Sequence, residues 1–287
     1  MEKSKVYFSK EITPENLVEI YKKVGKDLKG NVAIKVHSGE AGNQNYIRPE
    51  MYQDIINKLN ATIVECNTAY AGERNETNKH KKLLEKHNWT KYYNVDILDE
   101  SEELELNIPS GKRIKKNYVG RNIEKYDSML VISHFKGHPM GGYGGALKNI
   151  SIGLASSHGK AYIHGAGVPE EIWTANHDHF LESMADAALS IKDYYQENIL
   201  YINIMCNMSV DCDCCSKAED PCMKDIGILS STDPVALDQA CVDLIYNSTD
   251  LGKNHLIERI ESKNGTYTID CAEKLNIGSK EYELINM

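Results

Sequence analysis

The residues best suited to chemistry gather in two stretches. In the run SHFKGHPMGGYGGALKNISIGLASSHGKAYIH, residues 133–164, Gly137, Gly141, Gly142, Gly144 and Gly145 fall within nine positions. Glycine tolerates positive φ and lets a backbone approach a ligand closely. Apolar residues at Ala146, Leu147, Ile150, Leu154 and Ala155 recur at helical spacing and predict a helix from about Gly145. A glycine-rich loop that opens a helix offers backbone N–H groups to an anion. Gly141, Gly142, Gly144 and Gly145 are therefore expected to cradle a negatively charged substrate or cofactor. Lys148 falls in the first turn, where a cation opposes the helix macrodipole by ~0.3–1 kcal/mol. That local cost points to a ligand for Lys148. The pattern is neither GxGxxG nor a Walker A loop, because Asn149 follows Lys148. Six of the ten histidines lie between His134 and His179. His138 is a candidate general acid/base, since imidazole titrates near neutrality. His134 and Lys136 are candidate ligand contacts, His164 is a candidate metal ligand, and Lys160 flanks the same turn. His177 and His179, two apart, do not share a helix face.

The second stretch is CNMSVDCDCCSKAEDPCMKDIGILSSTDP, residues 206–234. Five of the eight cysteines, Cys206, Cys212, Cys214, Cys215 and Cys222, fall within 17 residues of it. Clustered thiols in a reducing compartment point to metal or redox chemistry rather than disulfides. Cys212, Cys214 and Cys222 are the expected thiolate ligands, with Cys206 or Cys215 as a fourth. Thiolates select zinc, copper(I) or an iron–sulfur cluster. The spacing matches neither the CxxCxxCxxxC run of ferredoxins nor a paired-CxxC zinc site. Cys66, Cys241 and Cys271 stand alone and read as buried structural thiols.

Alternating strands and helices must position these stretches. Strands are expected at 6–9, 31–37, 61–66, 95–98, 128–134, 199–205 and 227–229, and helices at 13–27, 48–59, 77–89, 170–196 and from 233. Thr13-Pro14 and Asp233-Pro234 each read as an N-cap followed by a proline at the first helical position. Residues 253–287 are expected to hold one helix, a glycine turn and a closing strand. Residues 99–116 begin acidic (DESEELEL) and end basic (GKRIKK), which reads as a surface excursion or hairpin. The fold class is therefore α/β, a mostly parallel sheet flanked by helices. One compact unit over 1–287 is expected, with a lobe boundary, if the site lies between two lobes, within 100–125. In such sheets ligands sit at the carboxyl ends of strands. His37-Ser38-Gly39, Asn67-Thr68 and the 134–138 segment all follow strands directly.

Composition narrows the partners. The chain carries 33 Lys+Arg against 42 Asp+Glu, a net charge of −9, which argues against nucleic acid as the main partner. No apolar run approaches the ~20 residues that span a bilayer. The opening Met1-Glu2-Lys3-Ser4-Lys5 carries no apolar leader core, so a cytoplasmic location is expected.

SHFKGHPMGGYGGALKNISIGLASSHGK, NTAYAGERNET and DIGILSSTDPVALDQAC together resemble the family called domain of unknown function 362. The resemblance spans nearly the whole chain. Many members are described as iron–sulfur proteins with a ferredoxin-like insert after the GK…H segment. This chain lacks the insert, since His164 runs almost directly into the segment at 170. The segment GYGGALKNISIGLASSHGKAYIH is also similar, more faintly, to the nickel-pincer lactate racemase family. That resemblance implies His138 in proton transfer, Lys148 contacting or joined to the pincer cofactor, and His164 as the nickel ligand. Arg48 in NYIRPE resembles an early Arg-Pro element of that family. A His-Arg pair there corresponds here to Glu73-Arg74, so its second proton-transfer histidine has no counterpart.

The sequence thus supports a metal- or iron–sulfur-dependent enzyme of oxidoreductase or racemase/isomerase type, acting on a small anionic ligand. Lys148 and Arg74 would bind negative groups, with Glu73 beside them. Two alternatives stand beside it: a non-catalytic metal or redox carrier with a protein redox partner, and an anion- or nucleotide-binding module.

Overall fold

The computed structural model describes residues 3–287; Met1 and Glu2 of the opening stretch lie outside the described residues. Eight strands form the main sheet: β1 (Ser4–Ser9), β2 (Val32–Lys35), β3 (Thr62–Glu65), β4 (Val95–Ile97), β7 (Ser128–His134), β10 (Ile199–Met205), β11 (Gly227–Ser231) and β12 (Tyr282–Asn286). Their order is β12-β1-β11-β10-β7-β2-β3-β4. Every pairing is parallel except those of β11, which runs antiparallel to both β1 and β10. Two hairpins stand outside the sheet, β5 (Glu103–Asn107) with β6 (Lys116–Gly120) and β8 (Lys136–His138) with β9 (Gly142–Gly144).

Strands buried on both sides alternate their side chains between two cores. Met129 and Val131 of β7 face one core, Leu130 and Ile132 the other. Helices α1 (Pro14–Val24), α2 (Gln53–Leu59), α3 (Thr77–Lys86) and α4 (Trp89–Tyr92) cover one face. Helices α5 (Ala146–Ser151), α6 (Ser157–His164), α7 (His177–Tyr195), α8 (Pro234–Tyr246), α9 (Lys253–Ser262) and α10 (Tyr267–Lys274) cover the other. The result is a three-layer α/β/α arrangement. No helix among the described residues is long and apolar enough to cross a membrane.

The expected caps are present. Thr13 Oγ1 accepts from Asn16 N at 3.1 Å, and Asp233 Oδ1 accepts from Val235 N and Ala236 N. The 99–116 excursion is the β5–β6 hairpin, which occupies the stretch where a lobe boundary was expected. Its turn is tied to α7: Asp186 accepts the amides of Lys112, Arg113 and Ile114, and Glu182 pairs with Lys112 and Arg113.

Three helices differ from expectation. The helix anticipated over 170–196 begins only at His177, because Asn176 caps it through His179 N. The helix from Gly145 stops at Ser151, and a second one starts after Ser156, whose Oγ accepts from Gly159 N at 2.9 Å. Residues 253–274 form two helices rather than one, broken near Gly265, where a Cβ would meet Gly141 O at 3.0 Å.

The chain leaves the middle of the sheet in two directions, from β2 toward β3 and β4, and from β7 toward β10. A crevice therefore opens outside the carboxyl ends of β2 and β7, the usual ligand position in such sheets.

Candidate functional site

A cavity of about 90 Å³ occupies that crevice. β2 supplies Lys35 and the chain beyond it His37; β3 supplies Glu65, with Cys66 following; β7 supplies Ser133 and His134. The β8–β9 hairpin adds Lys136, His138 and Gly144, and α5 and α6 add Lys148, Lys160 and His164. Cys212 and Cys214 close the wall, and Trp173, 65% exposed, stands at the mouth. The glycine and cysteine stretches thus meet. Gly137 N donates to Ser209 O at 2.8 Å, and a Cβ on Gly137 would strike Val210 O.

The floor is a set of buried ion pairs. Lys35 Nζ lies 2.6 Å from Glu65 Oε2, Arg74 Nε 3.2 Å from Glu40 Oε2, and Lys136 Nζ 3.0 Å from Asp213 Oδ2. Burial alone would raise the carboxyl groups of Glu65 and Asp213. Lys35, His37 and Arg74 hold Glu65 well below the carboxylate range, and His134 and Lys136 do the same for Asp213. Burial opposes charge on Lys136 too, yet Asp213 raises it above the usual lysine value. Arg74 also donates to Tyr70 Oη at 3.0 Å, so its guanidinium is held by Glu40, Glu65 and Tyr70.

The amides of the α5 N-terminus, expected to complete a backbone cradle at the glycines, are already taken. The amides of Ala146 and Leu147, which open α5, donate to the buried Asp238 carboxylate at 2.8 and 3.0 Å. Asn203 Nδ2 donates to the same carboxylate at 2.8 Å. Gly145 is glycine for that reason, since a Cβ there would lie 2.5 Å from Asp238 Oδ1. Gly141 N is spent on His138, and Gly142, with φ +77°, sits against Gly265. Only Gly144 and Gly145 of the four line the cavity. The cationic groups that line it are side chains: Lys35, Arg74, Lys136, Lys148 and Lys160.

The histidines divide by what their second nitrogen touches. His134 Nδ1 faces both Asp213 oxygens, at 3.0 and 2.9 Å, and its Nε2 faces Cys206 O at 2.6 Å, so neither nitrogen is free. His138 Nδ1 accepts two amides, Met140 N at 3.1 Å and Gly141 N at 2.8 Å. Its proton must then sit on Nε2, which lies 3.9 Å from Cys214 Sγ. His164 is the reverse. Its Nδ1–H donates to Lys160 O at 2.8 Å, leaving the Nε2 lone pair open. Burial first, then Lys148, pushes His138 down to about 3. Burial likewise outweighs the Lys160 carbonyl and takes His164 to about 4. With its Nδ1 occupied, His138 presents an Nε2–H donor rather than an open lone pair, so of the expected acid/base role the geometry offers the acid half.

Cys212, Cys214 and His138 place their ligand atoms within 4.8 Å of one another. Cys214 N donates to Cys212 Sγ at 3.3 Å. The Cys222 thiol lies outside this group and donates to Met208 O at 3.3 Å. His164 also lies outside it, although it lines the same cavity. The group contains two thiols, not the four an iron–sulfur cluster takes. Burial pushes the thiols of Cys66 and Cys206 up to about 12, as structural cysteines.

Two more expected contacts lie elsewhere. Arg48 is exposed, covers the Tyr46 ring at 3.8 Å and donates to Gln44 O. Glu73 is exposed, and only its amide is engaged, on Glu40. His37, in one of the loops expected after a strand, does line the cavity, whereas Lys35, Glu65, Tyr70 and Asp213 were not among the expected site residues. A signal existed for two of them: NVAIKVH and ATIVEC each place one charge inside an apolar strand, which marks a buried pair.

The family described as Domain of unknown function (DUF362) matches residues 32–243. The chain belongs to it. The matched stretch of this DUF362 member runs from β2 into α8 and contains every cavity-lining residue named above. Among solved structures, the lactate racemase apoprotein from Thermoanaerobacterium thermosaccharolyticum is similar, at TM-score 0.51 and 16% identity, covering 86% of this chain. A Thermotoga maritima protein is similar at TM-score 0.48 and 12% identity, covering 88% of this chain. The chain spans 58% of the length of either structure. The racemase likeness is one of fold. A search of curated proteins finds no match.

Proposed function

We propose that this DUF362 protein is a metal-assisted enzyme that binds a small anionic substrate in the cavity between β2 and β7. One observation carries the reading: the open Nε2 of His164 and the Lys148 ammonium, which has no hydrogen bond or ion pair among the described residues, face the same cavity. A metal-ligating imidazole commonly donates its other N–H to a carbonyl or carboxylate, the arrangement His164 has with Lys160 O. Lys148 would bind the substrate's negative group. His138 would direct its Nε2–H at substrate oxygen, as a neutral imidazole held in one tautomer can. Arg74, locked by its partners, orders the ion pairs beneath. Proton transfer or redox chemistry at the carbon beside the bound group is the reaction class.

The residues fit a nickel-pincer-type group, because the lysine amine is unpartnered and the histidine nitrogen is open. In that form Lys148 would be engaged by the group, with His164, rather than by the substrate, and the group would supply a redox-active metal centre. Glu73-Arg74 in place of a His-Arg pair means that a racemase-type second proton donor would have to come from another residue.

The test is anaerobic purification with nickel, zinc or iron in the medium, metal analysis, and a screen for solvent deuterium entering C2 of 2-hydroxy acids. Stoichiometric metal lost in His164→Ala, with exchange lost in Lys148→Gln, is expected. A protein that takes up no metal under any of these conditions overturns the metal half. The alternative is a non-catalytic carrier with a redox partner protein, and the Cys212–Cys214–His138 group favours it. In that case Lys148→Ala retains metal, and metal depends on Cys212 rather than His164. An anion-binding module without chemistry would bind ligands and show no exchange.

A further inference from the structure

The charges around the cavity do not balance. Five cations line it: Lys35, Arg74, Lys136, Lys148 and Lys160. Three are matched one to one, by Glu65, Glu40 and Asp213. Lys148 has no partner among the described residues, and Lys160, 7% exposed, gives a single hydrogen bond, to Ala155 O at 2.5 Å. The carboxylate on the Lys160 side, Asp99, makes no ion pair with it. Its oxygens accept the amides of Asn67 and Ser157 at 2.8 and 2.9 Å. The neighbouring thiol of Cys66 donates to Leu154 O and, with its affinity for protons raised by burial, supplies no counter-charge. Lys148, Lys160 and His164 all line this one cavity. Lys160 is held out of water without a counter-ion, which is unfavourable, and a doubly charged anion would relieve that penalty and pair the partly buried Lys148 as well.

We infer that the ligand of this cavity carries two negative charges, a small dicarboxylate or a doubly charged oxyanion, and bridges Lys148 and Lys160. The inference rests on the reading of the cavity as an anion site and names its ligand class. It separates this chain from a pocket shaped for a simple monocarboxylate, in which one lysine would be enough.

The experiment uses pairs that differ by one negative charge, malonate with propionate, succinate with butyrate, and sulfate with methanesulfonate, the last pair being of equal size. Binding is read by thermal shift and by Trp173 fluorescence at the cavity mouth, in a non-phosphate buffer at pH 7.5. Intact mass first establishes that Lys148 is a free amine. At least one dianion is expected to bind tenfold or more tightly than its partner, and Lys148→Gln is expected to remove that preference while the fold, by circular dichroism, is kept. Lys160→Gln serves as the second variant. Equal binding of both members in every pair overturns the dianion inference and leaves the anion site standing. Failure of all six to bind overturns both. A preference that survives in both lysine variants assigns the second charge elsewhere and overturns the bridging role.

Discussion

Two neighbouring regions of this molecule use similar residues to opposite ends. From His134 to α5 the polar groups close on one another. His134 has acceptors at both nitrogens, His138 Nδ1 takes two amides, and the α5 amides end on Asp238. From Lys148 to His164 the groups are left open: an ammonium with no partner, a second with a single carbonyl, and an imidazole with one bare nitrogen. Both regions line one cavity, and glycine, lysine and histidine occur in both. What distinguishes scaffold from site is whether each donor or acceptor already has a partner. A buried polar group is costly to leave unpaired, so open ones mark where a ligand belongs.

The largest effect expected from this contrast is on acid stability. Burial lowers His37 and His164 to about 4, and His80 and His138 to about 3. In the unfolded chain these imidazoles take protons near 6.5. Between those values the unfolded state binds more protons, so stability is complete above 6.5 and is lost as pH falls. Asp238 acts in the opposite sense: burial raises it to about 6, which favours the folded state as pH falls from 6 toward 4. The net uptake of about three protons corresponds to roughly 4 kcal/mol per pH unit between pH 6 and 5. Urea midpoints measured from pH 7.5 to 5 should drop steeply from about 6.5. A midpoint that stays flat until the carboxylates titrate below pH 4.5 would show that these four histidines are already charged in the fold.

Next in size is the scaffold itself. Asp238→Ala strands the Ala146 and Leu147 amides and the Asn203 amide group. At ~1–3 kcal/mol for each buried donor left unpaired, partly relieved by water, the loss should reach roughly 3–5 kcal/mol. Gly145→Ala pushes a methyl to 2.5 Å from the same carboxylate and should cost about 1–3 kcal/mol. Chemical denaturation measures both. If either variant weakens anion binding without loss of stability, the α5 amides serve the ligand after all.

The same contrast explains what the sequence could and could not reveal. Thr13-Pro14 and Asp233-Pro234 act within a few residues, and their caps stand as expected. Continuous apolar strands announced the parallel sheet, and loops at their carboxyl ends announced the crevice. The Gly145–Lys148 turn looked like an anion cradle because its local pattern is one. The carboxylate that fills it comes from Asp238, about 90 positions away. His138 and His164 are indistinguishable as letters, and their tautomers depend on Gly141 N in one case and Lys160 O in the other. Cys222 belongs to the same cysteine run as Cys212, yet its loop carries it to Met208. Long-range partners decide each of these, and spacing does not record them.

A smaller effect tests the tautomers directly. Proton-coupled nitrogen spectra of the imidazoles at pH 7 should show Nε2–H for His138 and Nδ1–H for His164. Titration with zinc or nickel should shift His164 and leave the His138 nitrogens in place. His164→Ala should remove that response at a stability cost of about 1 kcal/mol, from the lost bond to Lys160 O and the ring stacked on Phe180 at 4.8 Å. A metal-induced shift at His138 together with Cys212 and Cys214 would move the metal to the thiol side of the cavity.

The smallest stability effect belongs to Gly144, one residue from the intolerant Gly145. The atoms nearest a Cβ at Gly144 would be side-chain atoms of Lys136 and Lys148, at 3.8 Å, an ordinary contact. Gly144→Ala should therefore change stability by less than about 0.5 kcal/mol. The methyl would nonetheless stand between the two lysines inside the cavity, where Lys148 must stay free to reach an anion. Weaker ligand binding with an unchanged denaturation midpoint is the expected pair of results. Adjacent glycines would then separate cleanly, Gly145 by folding and Gly144 by binding. A Gly144→Ala protein that binds every ligand as before would mean that the space beside Lys148 is not where the anion sits.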